Sequence, residues 1–243
     1  MNRSPKILHL VWNLIRGGTE GQCARMSIEL ARRKVVSRVA VFRHEGMFLE
    51  SVERECGPVF DIGIRHLVSL HTAAMVLRLK NFILCGQFDV VHCWDADAAI
   101  FGSLASRLAG VPYLTSRRDL GQIYPPHKLW LMRRADRGAA AVVVNAEAIR
   151  EHVLSAGVPP DRVRLVPNLF DMAEFSDSAG LPFPLAASLP PGRLIGHVAR
   201  LDPEKDVATF LQAAAVVLSR RLDAGFVVAG RGPERERLEQ LAA

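Results

Sequence analysis

Two hydrophobic patterns take turns along this chain. Short continuous apolar runs bounded by glycine, proline or asparagine read as strands buried on both faces. Longer stretches with an apolar residue every third or fourth position read as helices with one buried face. Ile7–Trp12 predicts a first strand, and the stretch through Cys23, Met26, Ile28, Leu30 and Ala31 a helix. Arg38–Arg43 predicts a strand, Met47–Cys56 a helix, Val59–Ile62 a short strand and His66–Leu84 a helix. Asp89–Trp94 reads as a strand and Ala96–Ala109 as a helix of small residues, closed by Gly110 at a position that favours left-handed backbone. Val111–Thr115, Ala139–Val144 and Val163–Val166 predict further strands, the last stopped by Pro167-Asn168, with a helix over Ala146–Ala156 ended by Gly157. Such alternation requires crossover connections and a mainly parallel sheet, so the fold class is α/β.

The pattern lapses over Asp177–Gly192, where Pro182, Pro184, Pro190 and Pro191 stand among residues without periodicity. That stretch reads as a linker, 177–192, between a domain over 1–176 and a second over 193–243. Alternation resumes with Leu194–Ala199 as a buried strand, Glu204–Arg221 as a helix, Gly225–Ala229 as a strand and a helix from Glu234 onward. Two strands and two helices are too few to bury their own apolar faces. Phe210, Leu211 and Leu218 would each forfeit ~1.5–3 kcal/mol if left in water. The expectation is a complete Rossmann-like first domain and about two βα units of a second, in a chain truncated within that second domain.

Apolar content of 49% and charged content of 23% are ordinary for a soluble globular protein. Cys23, Cys56, Cys85 and Cys93 form no C-x-x-C pair, which fits reduced thiols in a cytoplasmic protein. The run from Ile7 is too quickly interrupted, by Asn13 and Arg16, for a secretory signal, and no segment is long enough to cross a bilayer. A net charge of +6 suits nucleotide phosphates, an anionic membrane surface or nucleic acid. Nucleic acid is disfavoured, because the basic residues form no recognisable reader motif.

Candidate chemistry concentrates where strands are expected to end. Arg200 follows the Leu194–Ala199 run, and Asp202-Pro203 has the form of an N-cap and first helical residue, which brings Arg200 and Lys205 together at a helix start. Free N–H groups there favour anions, and two solvated charges beside a cap explain the spacing equally well. Gly17-Gly18-Thr19-Glu20 makes a glycine loop between the first strand and helix, but matches neither G-x-G-x-x-G nor the Walker pattern; a tight turn explains it equally well. Glu20 is open to a first-turn dipole role. His92, Asp95 and Asp97 stand at a strand end; adjacent His92 and Cys93 point to opposite faces and so do not readily share a metal, while helix capping accounts for the carboxylates. Residues 113–137 carry Arg117, Arg118, Lys128, Arg133, Arg134 and Arg137 among Tyr124, Trp130, Leu131 and Met132. This mixture reads either as a peripheral contact with an anionic inner membrane surface or as a solvated basic helix face around a buried Trp130.

Taken in order, several segments resemble the retaining family 4 (group 1) glycosyltransferases of GT-B fold. They are Gly17-Gly18-Thr19-Glu20, Asp89-Val-Val-His92, Val143-Val-Asn145-Ala-Glu147, Val166-Pro-Asn168, Gly196-His-Val-Ala-Arg200-Leu-Asp-Pro-Glu-Lys205 and Gly230-Arg-Gly232-Pro-Glu234. The resemblance implies two facing Rossmann-like domains, a nucleotide-sugar donor held mainly by the second and a hydroxyl acceptor (glycolipid, polysaccharide or small molecule) by the first. It implies donor contacts from Arg200, Lys205, Gly230 and Gly232, with Gly17 and Gly18 over the donor phosphates. His92 and Arg118 take the catalytic positions, and Glu20, Arg117, Asp119 and Asn145 the acceptor side. Paired cations would stabilise the leaving nucleotide, so neither metal nor cofactor is expected. Two departures stand out. Thr115-Ser116-Arg117-Arg118-Asp119 occupies a loop where many relatives carry a histidine, and the family's later Glu-x7-Glu motif would fall beyond Ala243, implying impaired transfer. A non-catalytic binding remnant, or another GT-B enzyme such as a sugar-nucleotide epimerase, remains a competing reading.

Overall fold

The computed structural model describes residues 4–63, 70–172, 193–220 and 223–242. The chain divides into two compact units, Met1–Phe170 and Asp171–Ala243. The expected linker 177–192 and the first residues of the helix expected from His66 lie outside the described residues.

In the first unit the elements run β1 (Lys6–Val11), α1 (Gly18–Arg32), β2 (Val36–Val41), α2 (Leu49–Cys56), β3 (Phe60–Asp61), α3 (Leu70–Gly86) and β4 (Val90–Cys93). They continue with α4 (Ala96–Ala109), β5 (Tyr113–Arg117), α5 (Pro126–Gly138), β6 (Ala141–Val144), α6 (Glu147–Ser155) and β7 (Val163–Leu165). All seven strands are parallel, in the order β3-β2-β1-β4-β5-β6-β7. Strand pleating divides the core between the two sheet faces. Leu8 and Leu10 of β1 join a cluster with α3 to α6 through Met75, Leu79, Ala99 and Val153. Val11 joins the other, with Cys23 and Ala24 of α1 and Val52 of α2. The small residues of α4 let it lie close on the sheet: a Cβ at Gly102 would come within 2.5 Å of Cys93 Sγ and 2.8 Å of Leu10 Cδ2. Gly110 ends the helix at φ 69°, in the left-handed region.

The departures from expectation have local causes. The strand expected over Val111–Thr115 runs two residues later, so Arg117 is its last member and not a loop residue. The side chain of Arg117 is buried against Asp136 of α5, with Nε donating to Oδ2 at 2.8 Å, while Thr115 Oγ1 donates to Oδ1 at 2.7 Å. Helix α5 was legible only as a basic stretch, and its Trp130 is 62% exposed where a buried one was one of the alternatives.

In the second unit β8 (Arg193–Val198) and β9 (Ala224–Ala229) pair in parallel, with α7 (Val207–Ser219) between them and α8 (Arg235–Ala242) after. Asp202-Pro203 opens a 3₁₀ turn, Pro203–Lys205, and not α7 itself; Asp206, at φ 45°, separates the two, and Asp202 makes no side-chain capping bond. The core is small, built on Leu201, Val207 and Leu238. The expected burial of the Leu194–Ala199 run is not met: Leu194, Ile195 and Val198 are exposed, because only one strand and a small cluster pack on them among the described residues. No helix among the described residues is long and apolar enough to cross a membrane.

Breaking the Arg117–Asp136 pair leaves a buried guanidinium without its counter-charge. Asp136→Ala is therefore expected to lower unfolding stability by ~3–5 kcal/mol, read from the urea midpoint. A loss below about 1 kcal/mol, the range of an exposed pair, would show that the pair does not anchor α5 to β5.

Candidate functional site

Strand order reverses at one place in the first unit. β1 leads through α1 to β2 on one side, while its neighbour β4 leads through α4 to β5 on the other. In open parallel sheets the carboxyl ends at such a reversal leave a crevice in which ligands bind. Here the crevice edges are Trp12 to Glu20 on one side and His92 to Asp95 on the other. Asp95 holds the two together: Oδ2 accepts the Trp12 backbone N–H at 2.6 Å, and Oδ1 caps α4 through Ala98 N–H at 2.8 Å. Burial pushes its pKa up to about 6, against these two hydrogen bonds.

Beneath the crevice lies a packed ring cluster. Trp94 Nε1 donates to His9 Nδ1 at 3.1 Å, which leaves the His9 proton on Nε2, buried and without a partner among the described residues. The His9 and His92 ring centroids are 5.6 Å apart, those of His92 and Trp94 4.4 Å. His92 Nε2 meets Ser116 Oγ at 2.8 Å. Burial lowers His9 to about 3 and holds His92 well below its ordinary range, with His9 and Arg118 adding to the latter. Both imidazoles are neutral at physiological pH, so His92 is equipped to hydrogen-bond and not to supply positive charge.

The cation at this edge is Arg118. Its guanidinium lies 5.0 Å over the Trp94 ring, and Nη2 donates to Asn168 Oδ1 at 3.1 Å. Asn145 Nδ2 donates to the same oxygen at 3.3 Å, while its own Oδ1 is buried without a partner among the described residues. Arg118 and Asn145 thus converge from the ends of two strands, with Asn168 between them. Arg117 turns into the core. Asp119 is taken up within its own loop, accepting from Gly121 N–H at 2.7 Å and Tyr124 Oη at 3.4 Å. His9, Trp94, Ser116 and Asn168 were not singled out as site residues from sequence. The available signals were a polar residue inside the first apolar run and the polar residue just past β7.

The glycine loop caps α1 with backbone alone. Gly17 is the extended N-cap residue, and α1 begins at Gly18. A Cβ at Gly18 would meet nothing within 4 Å, whereas one at Gly17 would run into the Glu20 carboxylate. Glu20 therefore sits over the helix start, where the macrodipole favours a negative group.

In the second unit, Arg200 and Lys205 do come together. Arg200 Nη2 lies 2.6 Å, and Lys205 Nζ 3.6 Å, from the same Glu204 Oε1, and Arg200 Nη1 is 3.0 Å from Asp202. Both cation side chains are largely solvent-facing, and they stand beside the 3₁₀ turn, not at the start of α7. Gly230 and Gly232 have a packing reason of their own. A Cβ on either would collide with the backbone of Ala199 or Leu201, because residues 229–234 hydrogen-bond back to 199–201. Among the described residues no three His, Cys, Asp or Glu side chains gather as a metal site.

The buried histidines make stability depend on pH. Unfolded, each takes a proton near 6.5; folded, His9 refuses one until about 3. Below 6.5 the unfolded state binds more protons, so stability present at neutral pH falls as pH falls, by up to ~1.4 kcal/mol per unit for each such group. Asp95, raised from 3.8 to about 6, opposes this below 6. The urea midpoint is expected to drop from pH 7 to pH 5, and less steeply in His9→Asn, which keeps an acceptor for Trp94. Equal slopes in the two proteins would contradict a neutral buried His9.

A family model described as Glycosyltransferase Family 4 matches residues 16–174. The chain is 33% identical over 166 residues to the alpha-D-kanosaminyltransferase of Streptomyces kanamyceticus, covering 62% of this chain and 43% of that protein. It is 30% identical to the 2-deoxystreptamine N-acetyl-D-glucosaminyltransferase of Streptomyces fradiae, covering 92% and 61%. Among solved structures, Anabaena Alr3699/HepE in complex with UDP and glucose superposes with a TM-score of 0.76 at 20% identity, over 98% of this chain and 64% of that one. The chain thus spans less than two thirds of the length of these relatives. Its fold is GT-B-like, with a seven-stranded Rossmann-like unit followed by two βα units of another. The family model covers well over half of the sequence, and the protein belongs to glycosyltransferase family 4.

Proposed function

We propose that this protein acts in the transfer of a sugar from a nucleotide-sugar donor to a hydroxyl acceptor, with retention at the anomeric carbon. The observation that carries the reading is the meeting of Arg200 and Lys205 on one oxygen of Glu204. Exposed ion pairs of this kind are worth ~0–1 kcal/mol, so a diphosphate exchanges for the Glu204 carboxylate at little cost. Two cations on a diphosphate would stabilise the negative charge that grows on the departing nucleotide, the work otherwise done by a divalent metal. Relatives point the same way: a structural neighbour carries UDP and glucose, and curated relatives are named for sugar transfer.

To the first unit, Met1–Phe170, we assign the acceptor side. Arg118 and Asn145 offer N–H donors to a polyol above the buried, neutral His92, and Asn145 Oδ1, buried and without a partner among the described residues, is the hydrogen-bond acceptor that a substrate hydroxyl would satisfy. The free N–H groups at Gly17-Gly18 offer a place for a phosphate, with Glu20 as the group that must yield it.

Calorimetric titration of the full chain with UDP, GDP and ADP tests the donor half. Arg200→Ala or Lys205→Ala is expected to weaken the preferred nucleotide by ~1.5–3 kcal/mol, the range for hydrogen bonds to charged groups. Unchanged affinity in both variants removes the assignment. Nucleotide binding without transfer from a labelled donor to any hydroxyl acceptor would favour a binding module, and a changed sugar on the nucleotide an epimerase.

Gly18→Ala gives a separate test. The site has open space and an ordinary helical backbone, so the melting temperature should hold or rise slightly. Nucleotide or phosphate affinity should fall if a ligand approaches that backbone. Unchanged affinity would leave the loop a turn and nothing more.

A further inference from the structure

The face of the first unit formed by α4 and α5 carries a second feature, independent of the reading above. On α5, Trp130, Arg133, Arg134 and Arg137 recur at helical spacing along one exposed stripe. On the adjoining α4, Leu104, Arg107 and Leu108 do the same. The two stripes meet: Arg107, Trp130, Arg133, Arg134 and Arg137 line one open pocket of about 310 Å³. A neighbouring pocket of about 490 Å³ adds Arg162 and reaches Val111-Pro112, at the entry to β5 and so at the opposite end of the strands from the crevice.

What sets these arginines apart is the lack of an ion-pair partner among the described residues, although Arg133 also lines a pocket with Asp119 and Asp136, which are engaged elsewhere. Among the described residues none of the five has a carboxylate partner; Arg137 and Arg162 reach only backbone carbonyls. The acid on α5, Asp136, is turned inward to Arg117, and Asp97 of α4 is held by Lys128 at 2.9 Å. Beside this positive field stand large apolar groups in water: Trp130 is 62% exposed, Leu108 57% and Leu104 49%. A phosphodiester backbone has use for the arginines and none for the leucines. A lipid surface uses both, since guanidinium groups reach headgroup phosphates while indole and leucine enter the boundary between headgroups and acyl chains.

We infer that the α4–α5 face docks this protein peripherally on anionic phospholipid, with Arg107, Arg133, Arg134 and Arg137 on headgroup phosphates and Trp130, Leu104 and Leu108 in the interface. Each arginine near an anionic surface contributes roughly a fivefold gain in partitioning. The attraction is screened over about a Debye length and so weakens with salt.

The test is co-sedimentation of the full chain with vesicles of phosphatidylcholine alone and with added phosphatidylglycerol, at low and high salt. Binding is expected only with phosphatidylglycerol, falling as salt rises, together with a blue shift of tryptophan emission that Trp130→Phe abolishes. The double variant Arg133→Glu, Arg134→Glu should lose binding at least tenfold, while Arg54→Glu on α2 should keep nearly all of it. All these positions are exposed, and melting temperatures check that the variants fold. Equal binding to neutral vesicles, no binding to either, or an equal loss in Arg54→Glu overturns the inference. Tighter binding to duplex DNA or polyglutamate than to the anionic vesicles overturns it in favour of a nucleic acid or acidic protein partner.

Discussion

One partly buried carboxylate fixes the geometry on which the first unit's edge depends. Asp95 accepts a hydrogen bond from the end of β1 and another from the start of α4, so it pins both walls of the place where the strand order reverses. Without it, the N–H group at the end of β1 and one in the first turn of α4 would lose their acceptor at the crevice. With it, both of those N–H groups are satisfied, and the side chains that follow each strand are available for other contacts. The buried ring cluster of His9, His92 and Trp94 packs below the same crevice. Packing and hydrogen bonding divide the work here: the carboxylate positions the end of β1 and the start of α4, and the rings fill the space beneath the crevice.

The alternating architecture was readable because each strand is an uninterrupted apolar run and each helix keeps a 3.6-residue repeat. Those two signals come straight from burial of both sheet faces. Boundaries were less legible. Val111 and Pro112 are apolar but precede β5, since proline cannot donate to the ladder, so the strand slides on to Arg117. Asp202-Pro203 has the composition of a helix start, yet Asp206 in the left-handed region splits a 3₁₀ turn from α7. Composition could not distinguish the two, because the same cap chemistry serves both. Of the site, strand-end residues were visible by their place after apolar runs. His9 was not, because its importance comes from a tryptophan distant in sequence, and Asn168, visible past the last strand, had no role legible without Arg118 beside it.

Neighbouring arginines illustrate why residue type alone does not declare function. Arg117 and Arg118 are consecutive, but the pleat sends Arg117 toward Asp136 and leaves Arg118 past the end of the ladder, over Trp94. A buried guanidinium needs a dedicated counter-charge, and the helix that supplies it is thereby locked to the sheet. A half-buried one resting on an indole keeps part of its hydrogen-bonding capacity unspent.

The same logic, followed outward, separates the remaining cations. Arg200 and Lys205 already share an acid, in a solvent-exposed pair whose weakness is what allows a stronger anion to replace it. Among the described residues the arginines of α4 and α5 share no ion pair with an acid, so their field extends into solvent and acts on a large anionic surface that comes near. A compact ligand is selected by convergence on a point, a surface by spread along a stripe. The spacing of Trp130, Arg133, Arg134 and Arg137, one turn apart on a single exposed ridge, is of the second kind. In this chain, then, the partner of each arginine within the fold, or the lack of one, decides whether it stabilises, binds or steers.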